Sequence, residues 1–143
     1  MQVERLLCCR RERRVDHSMV AEVLQIRADV SVNRIYTLFQ GKVENASLQK
    51  ELPEFTRLLS TLRPGFSLVT DLTSVESMAL GCEQTIRVIM DLCRAQGVGT
   101  VVRIVPDPRK DIGFNILGRF HYGPHVTIIT CETREQAEQA MNT

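Results

Sequence analysis

The chain has 143 residues and a mass of 16.2 kDa, 43% of its residues are hydrophobic and 24% charged. Those are the proportions of one globular domain and exclude a long disordered chain. The formal net charge of +1 sets up no overall basic field for nucleic acid, and the longest run free of Asp, Glu, Lys and Arg, Phe120 to Cys131, is too short and too broken for membrane insertion.

The charge is concentrated at the start. Within residues 1–14, Arg5, Arg10, Arg11, Arg13 and Arg14 face only Glu4 and Glu12, and no apolar run of signal-peptide length accompanies them. Residues 1–18 therefore read as a basic extension ahead of a domain at 19–143. Five cysteines (Cys8, Cys9, Cys82, Cys93 and Cys131) form no CxxC pair. That set gives neither a disulfide framework nor a zinc site, and it points to a reducing, cytoplasmic setting.

Regular pattern begins at Ala21. Ala21–Asp29 alternates, with Leu24, Ile26 and Ala28 on one side and Val23, Gln25 and Arg27 on the other, which is strand periodicity. Ser31–Asn33 carries a turn into Arg34–Val43, a second β-rich run, so the two form a hairpin. Asn45 and Ser47 offer helix N-caps before Leu48, Leu52, Phe55, Leu59 and Leu62, an amphipathic stripe. Pro53 inside that stripe predicts either an irregular first turn or a helix that begins near it. Pro64-Gly65 closes the element.

Phe66–Leu72 reads as a short buried strand and Thr73–Ser77 as a loop. Met78, Cys82, Ile86, Ile89 and Cys93 then recur at helical spacing, and Gly97 supplies the stop. Cys82 and Cys93 on that stripe act as small core hydrophobes. Val98–Val105 is a strong strand, Arg109–Phe120 a weaker helix, and Val126–Cys131 the last strand. Thr133 caps a closing helix, with Gln136 placed to reach back to the Thr133 amide in a capping box. The order ββαβαβαβα predicts an α/β fold: a mixed, mostly parallel five-stranded sheet with about four helices and an antiparallel edge from the hairpin.

No catalytic constellation emerges. There is no P-loop and no GxSxG elbow, and Gly97-Val98-Gly99 precedes a strand where a dinucleotide fingerprint would follow one. His121 and His125 flank a Gly-Pro turn that does not converge two imidazoles on a metal. Asp71 ends the buried strand, where parallel sheets place ligand groups, and reads first as an anchor for the following loop. Arg103 lies mid-strand on the side of Val101 and Val105, either paired with an acidic group or anion, or projecting from an open sheet face shared with Arg27 and Gln25. Asp71 and Arg103 are the candidate ligand or anion residues. No catalytic residue, cofactor or metal ligand is assigned.

A strand ending Asp71-Leu72-Thr73, the stretch Ser74–Cys82, a helix ending Arg94-Ala95-Gln96-Gly97, and VVRIV together resemble the STAS domain. That family includes the anti-sigma-factor antagonists and the cytoplasmic tails of sulfate transporters, and the resemblance covers roughly Ala21 to Met141. It implies a non-enzymatic regulatory module that binds a protein partner through the loop and helix at Ser74–Ile89, with a homodimer as one arrangement, and composition points to neither nucleic acid nor membrane insertion. In the antagonists a serine at the start of the helix is phosphorylated and toggles binding. Here Gly81 matches the family glycine, which puts Ala79 and Leu80 in the seryl positions. Ser74 and Ser77 are the nearest hydroxyls, each readable as an N-cap, and Ser77 is the candidate for a displaced phosphorylation site. The expected partner residues are Ser74, Glu76, Ser77, Met78 and Leu80. A small-molecule carrier for an apolar or anionic ligand is the alternative.

Overall fold

The computed structural model describes residues 23–105 and 122–142. The expected basic extension at 1–18, the expected helix at 109–120 and His121 lie outside the described residues.

Strand β1 (Leu24–Asp29) and strand β2 (Arg34–Val43) form the expected antiparallel hairpin. A single 3-10 turn at Val30–Val32 joins them, and Asn33 leaves it with φ 57°, the left-handed region that Asn tolerates better than most residues. The Asn33 side chain donates to the Arg63 carbonyl at 3.1 Å and accepts from the Arg63 amide at 2.8 Å. That clamp ties the hairpin turn to the chain leaving the first helix.

That helix, α1, spans Asn45–Leu59 and buries Leu48, Phe55 and Leu59. The expected caps are not caps. Glu44 occupies the cap position without a side-chain bond, and Asn45 opens the helix with its Oδ1 accepting from the Thr85 hydroxyl. The helix also runs unbroken from Asn45 through Pro53. Proline removes one intrahelical donor, but burial of the apolar stripe on both sides of it outweighs that loss.

Strand β3 spans Ser67–Met78, helix α2 Cys82–Gln96, strand β4 Thr100–Ile104, strand β5 Thr127–Cys131, and helix α3 Arg134–Asn142. Gly97 ends α2 at φ 95°, and an added Cβ would lie 3.0 Å from Pro64 Cβ, so both conformation and space call for glycine. At α3 the Thr133 hydroxyl accepts from the Gln136 amide at 3.1 Å, while the Gln136 side chain accepts from the Glu132 amide at 2.8 Å, one residue before the expected Thr133 amide.

The sheet order is β1-β2-β3-β4-β5, with every pair after the hairpin parallel. Strand order therefore repeats chain order. Right-handed crossovers that advance in one direction deliver their helices to one face. Accordingly α1 and α2 share one apolar core with Ile35, Phe39, Leu68, Leu72, Val101 and Val105. The opposite face carries a smaller cluster in which Val69, Val102, Ile104 and Cys131 meet Ala137 of α3.

One expected boundary is wrong. The strand predicted to stop at Leu72 continues to Met78, and the predicted loop Thr73–Ser77 is extended backbone paired with β2. The register slips twice, between the pairs Leu38↔Asp71 and Gln40↔Ser74 and again between Gly41↔Val75 and Lys42↔Ser77. Each bulge adds a residue to β3, so Leu72 and Val75, three apart, enter the same core.

Candidate functional site

The β3–α2 corner is built on backbone pairing. The Val43 carbonyl at the end of β2 accepts from the Ala79 amide at 2.9 Å and from Cys82 Sγ at 3.4 Å. Amides of Cys82 and Glu83 close tight turns onto the Ala79 and Leu80 carbonyls at 3.0 and 3.1 Å. Gly81 lies against α1, its position for a Cβ 3.8 Å from Asn45 Cβ. The backbone is thus held from β2 and α1, while Leu80 at the tip is 93% exposed. Ser74, Glu76 and Ser77 are exposed and Met78 is half-buried.

These placements correct the reading of the two serines. Ser77 pairs with Lys42 in the bulged part of β3, and Ser74 pairs with Gln40. Neither caps α2, whose cap is Gly81 with no side-chain bond, and Met78 ends a strand where it was expected to open a helix.

Asp71 and Arg103 are not brought together. They face opposite sides of the sheet. Arg103 is 2% exposed and turned toward the α1–α2 side, lining a small cavity with Thr37, Thr70 and Tyr122. It shares that side with Val101 and Val105 as expected, but the open face predicted for it with Arg27 and Gln25 is the other one. Asp71 is buried on that other side. Its Oδ1 accepts from the Thr73 amide at 3.0 Å and the Thr73 hydroxyl at 2.7 Å, which anchors the first bulge. Its Oδ2 accepts from Arg134 Nε at 2.8 Å.

Arg134 escaped sequence reading, although a signal for it exists. A cation in the first turn of a helix opposes the helix dipole, so its presence there implies a carboxylate partner elsewhere. Arg134 borders a cleft of about 360 Å³ between α3 and the β1–β2 side of this face. Arg27 and Tyr36 stand across it, with the Arg27 guanidinium 4.0 Å above the Tyr36 ring.

Burial pushes the Cys93 thiol up to about 12 and raises Cys82 and Cys131 as well. Thiols held protonated at neutral pH are weak nucleophiles and ligands, and all three are buried. Tyr122 is also raised, first by burial, with Cys93 adding to the effect and Arg103 opposing it. No helix among the described residues is long and apolar enough to cross a membrane.

No protein-family model matches the sequence, and no curated protein matches it. Solved structures do match in shape. An uncharacterized protein of the DUF3478 family with a SpoIIAA-like fold, from Shewanella loihica PV-4, superposes with a TM-score of 0.62 at 13% identity, covering 82% of this chain and 91% of that one. The anti-sigma factor antagonist SpoIIAA in its unphosphorylated form gives 0.55 at 12% identity, over 83% and 97%. An anti-sigma factor antagonist from Mycobacterium paratuberculosis gives 0.53 at 15%, over 84% and 93%. With the parallel strands, the leading hairpin and the Asp71-to-Gly97 segment in place, the chain has the SpoIIAA-like fold.

Proposed function

We propose that the chain is a non-catalytic, STAS-type regulatory module that binds a protein partner through the β3–α2 corner. Leu80 would anchor the contact, with Ser74, Glu76, Ser77 and Met78 around it. The observation that supports this reading is a fully presented leucine on a backbone hydrogen-bonded to the end of β2 and closed by tight turns into α2. An exposed leucine contributes nothing to the fold, whereas burying it in a partner's pocket gains about 1.5–3 kcal/mol. Its fixed setting lowers the ordering cost of association.

The corner offers no hydroxyl where the resemblance puts the phosphoacceptor, so binding through it is constitutive. Ser77, exposed beside that contact, is read as its neighbour and stays the candidate for a displaced switch.

The test is a pull-down from the source cell's lysate with the full chain and with Leu80→Asp, recording intact mass on the recovered bait. A stoichiometric regulatory protein held by the parent and lost from L80D, with an unmodified bait, is expected. Retention of the same protein by L80D would overturn the Leu80 anchor. A phosphate mapped to Ser77 would replace constitutive binding with a displaced switch.

A further inference from the structure

The cleft beside α3 has a rim and a floor of different chemistry. Its floor is the apolar side of three adjacent strands, Leu38, Val69 and Ile104, and its helix wall is Ala137 and Met141. Val69 and Ile104 are buried at this floor, and Ala137 beside them is 1% exposed, so the apolar part is set into the protein. A volume of about 360 Å³ is within the range of small-molecule sites.

The rim carries arginine donors. Two carboxylates border the cleft, each facing an arginine. Asp71 uses Oδ1 on Thr73 and Oδ2 on Arg134, and Glu138 lies 3.9 Å from Arg34. The guanidinium groups are not used up in return. Arg134 spends only Nε on Asp71, its side chain is 68% exposed, and its two terminal nitrogens have no acceptor among the described residues. Arg27 stacks on Tyr36 and makes no hydrogen bond or ion pair among the described residues. Arg34, next to Tyr36 on the same strand face, donates from Nη1 to the Tyr36 hydroxyl at 3.1 Å and buries an Nε without a partner. The lining thus holds two guanidinium groups, Arg27 and Arg134, and two carboxylates, and the unspent donors of the two arginines have the planar geometry that suits a carboxylate.

We propose that this cleft binds a small monocarboxylate with a compact apolar body, the carboxylate between Arg27 and Arg134 and the body on the Leu38–Val69–Ile104 floor. Tyr36, held from one side by Arg27 and at its hydroxyl by Arg34, fixes the wall between head and tail. The site uses the face of the sheet that α1 and α2 do not cover and shares no residue with the Leu80 corner. Its failure and the failure of the partner reading are therefore separate results.

Titration calorimetry of the full chain with decanoate, indole-3-acetate and the neutral decanol tests it. At least one acid should bind saturably at one site per chain, with decanol weaker by roughly tenfold or more because it leaves the arginine donors unmatched. The acid that binds tells an alkyl from an aromatic body. Arg27→Glu, at an exposed position, should weaken that acid by a similar factor, and Gln25→Trp, which fills the cleft from β1, should abolish binding. Absence of binding by both acids would overturn the proposal. So would equal affinity for decanol, or an unchanged affinity in R27E.

Discussion

The α1–α2 face of the sheet is closely covered: Phe55, Ile86, Ile89 and Cys93 from two helices close over Ile35, Leu68 and Val101, and the polar Thr37, Thr70 and Arg103 among them are buried too. On the other face α3 alone, among the described elements, supplies cover. It buries Val102, Ile104 and Cys131 toward β4 and β5 but leaves Gln25 and Arg27 of β1 exposed and a cleft between. The two faces belong to the same strands, so residue type alone does not make the difference. Strand order does, because crossovers that advance in one direction stack their helices on one side and leave the other to the helix after the last strand.

The contrast breaks if the two faces contribute equally to stability. Phe55→Ala empties a fully buried site on the covered face and should cost about 3–5 kcal/mol in urea unfolding. Met141→Ala, half-buried beside the cleft, should cost no more than about 1 kcal/mol, since the lost contacts are fewer and no closed cavity is left. Similar losses for the two would mean that the cleft closes in solution.

A pH series sharpens the same point. The Cys93 thiol ordinarily ionises near 9.0 and in the folded protein is raised to about 12. Between those values the unfolded chain releases a proton that the native protein keeps. The associated stability is fully present below pH 9 and declines as pH rises toward 12, by up to about 1.4 kcal/mol per unit. Unfolding measured at pH 8, 9 and 10 should show a steeper alkaline decline in the parent than in Cys93→Ala. Equal slopes would mean that water reaches the α2 side of the core.

The smallest effect is expected at the cleft rim. Arg134→Ala removes an ion pair whose arginine is mostly exposed, and solvent screening should limit the loss to about 0.5–1 kcal/mol. A loss comparable to that of Phe55→Ala would make the Asp71–Arg134 pair the strut of this face and leave the cleft a by-product of it.

Much of this arrangement can be read from residue order. The hairpin, the parallel sheet and the stripe Cys82, Ile86, Ile89 and Cys93 come from periods of two and of about 3.6, and Gly97 marks its own helix end. Legibility fails where a local feature is set by a distant one. The run from Thr73 to Ser77 looks like a loop because two bulges destroy its alternation, and the partner strand that accommodates them is β2, on the far side of α1 in the chain. Asn45 looks like a cap because its amide suits that role, yet its carbonyl oxygen is claimed by Thr85. Arg103 looks like a residue for an open face, and its side is assigned only once the helices are laid on the sheet. At the candidate site, Asp71 was legible as an anchor, whereas Arg134 joins it from sixty-three residues away.

The order β1-β2-β3-β4-β5 also has a consequence for synthesis. Every strand finds its neighbour among residues already made, so a nascent chain leaving the ribosome can add strands at a single growing edge. No central strand has to be inserted late between two others, which limits how long a half-built sheet displays unpaired edges inside the structure. Helix α3, added after these strands, completes one wall of the cleft. A molecule held there thus meets a sheet that is already assembled, and its binding reports that the final helix has docked.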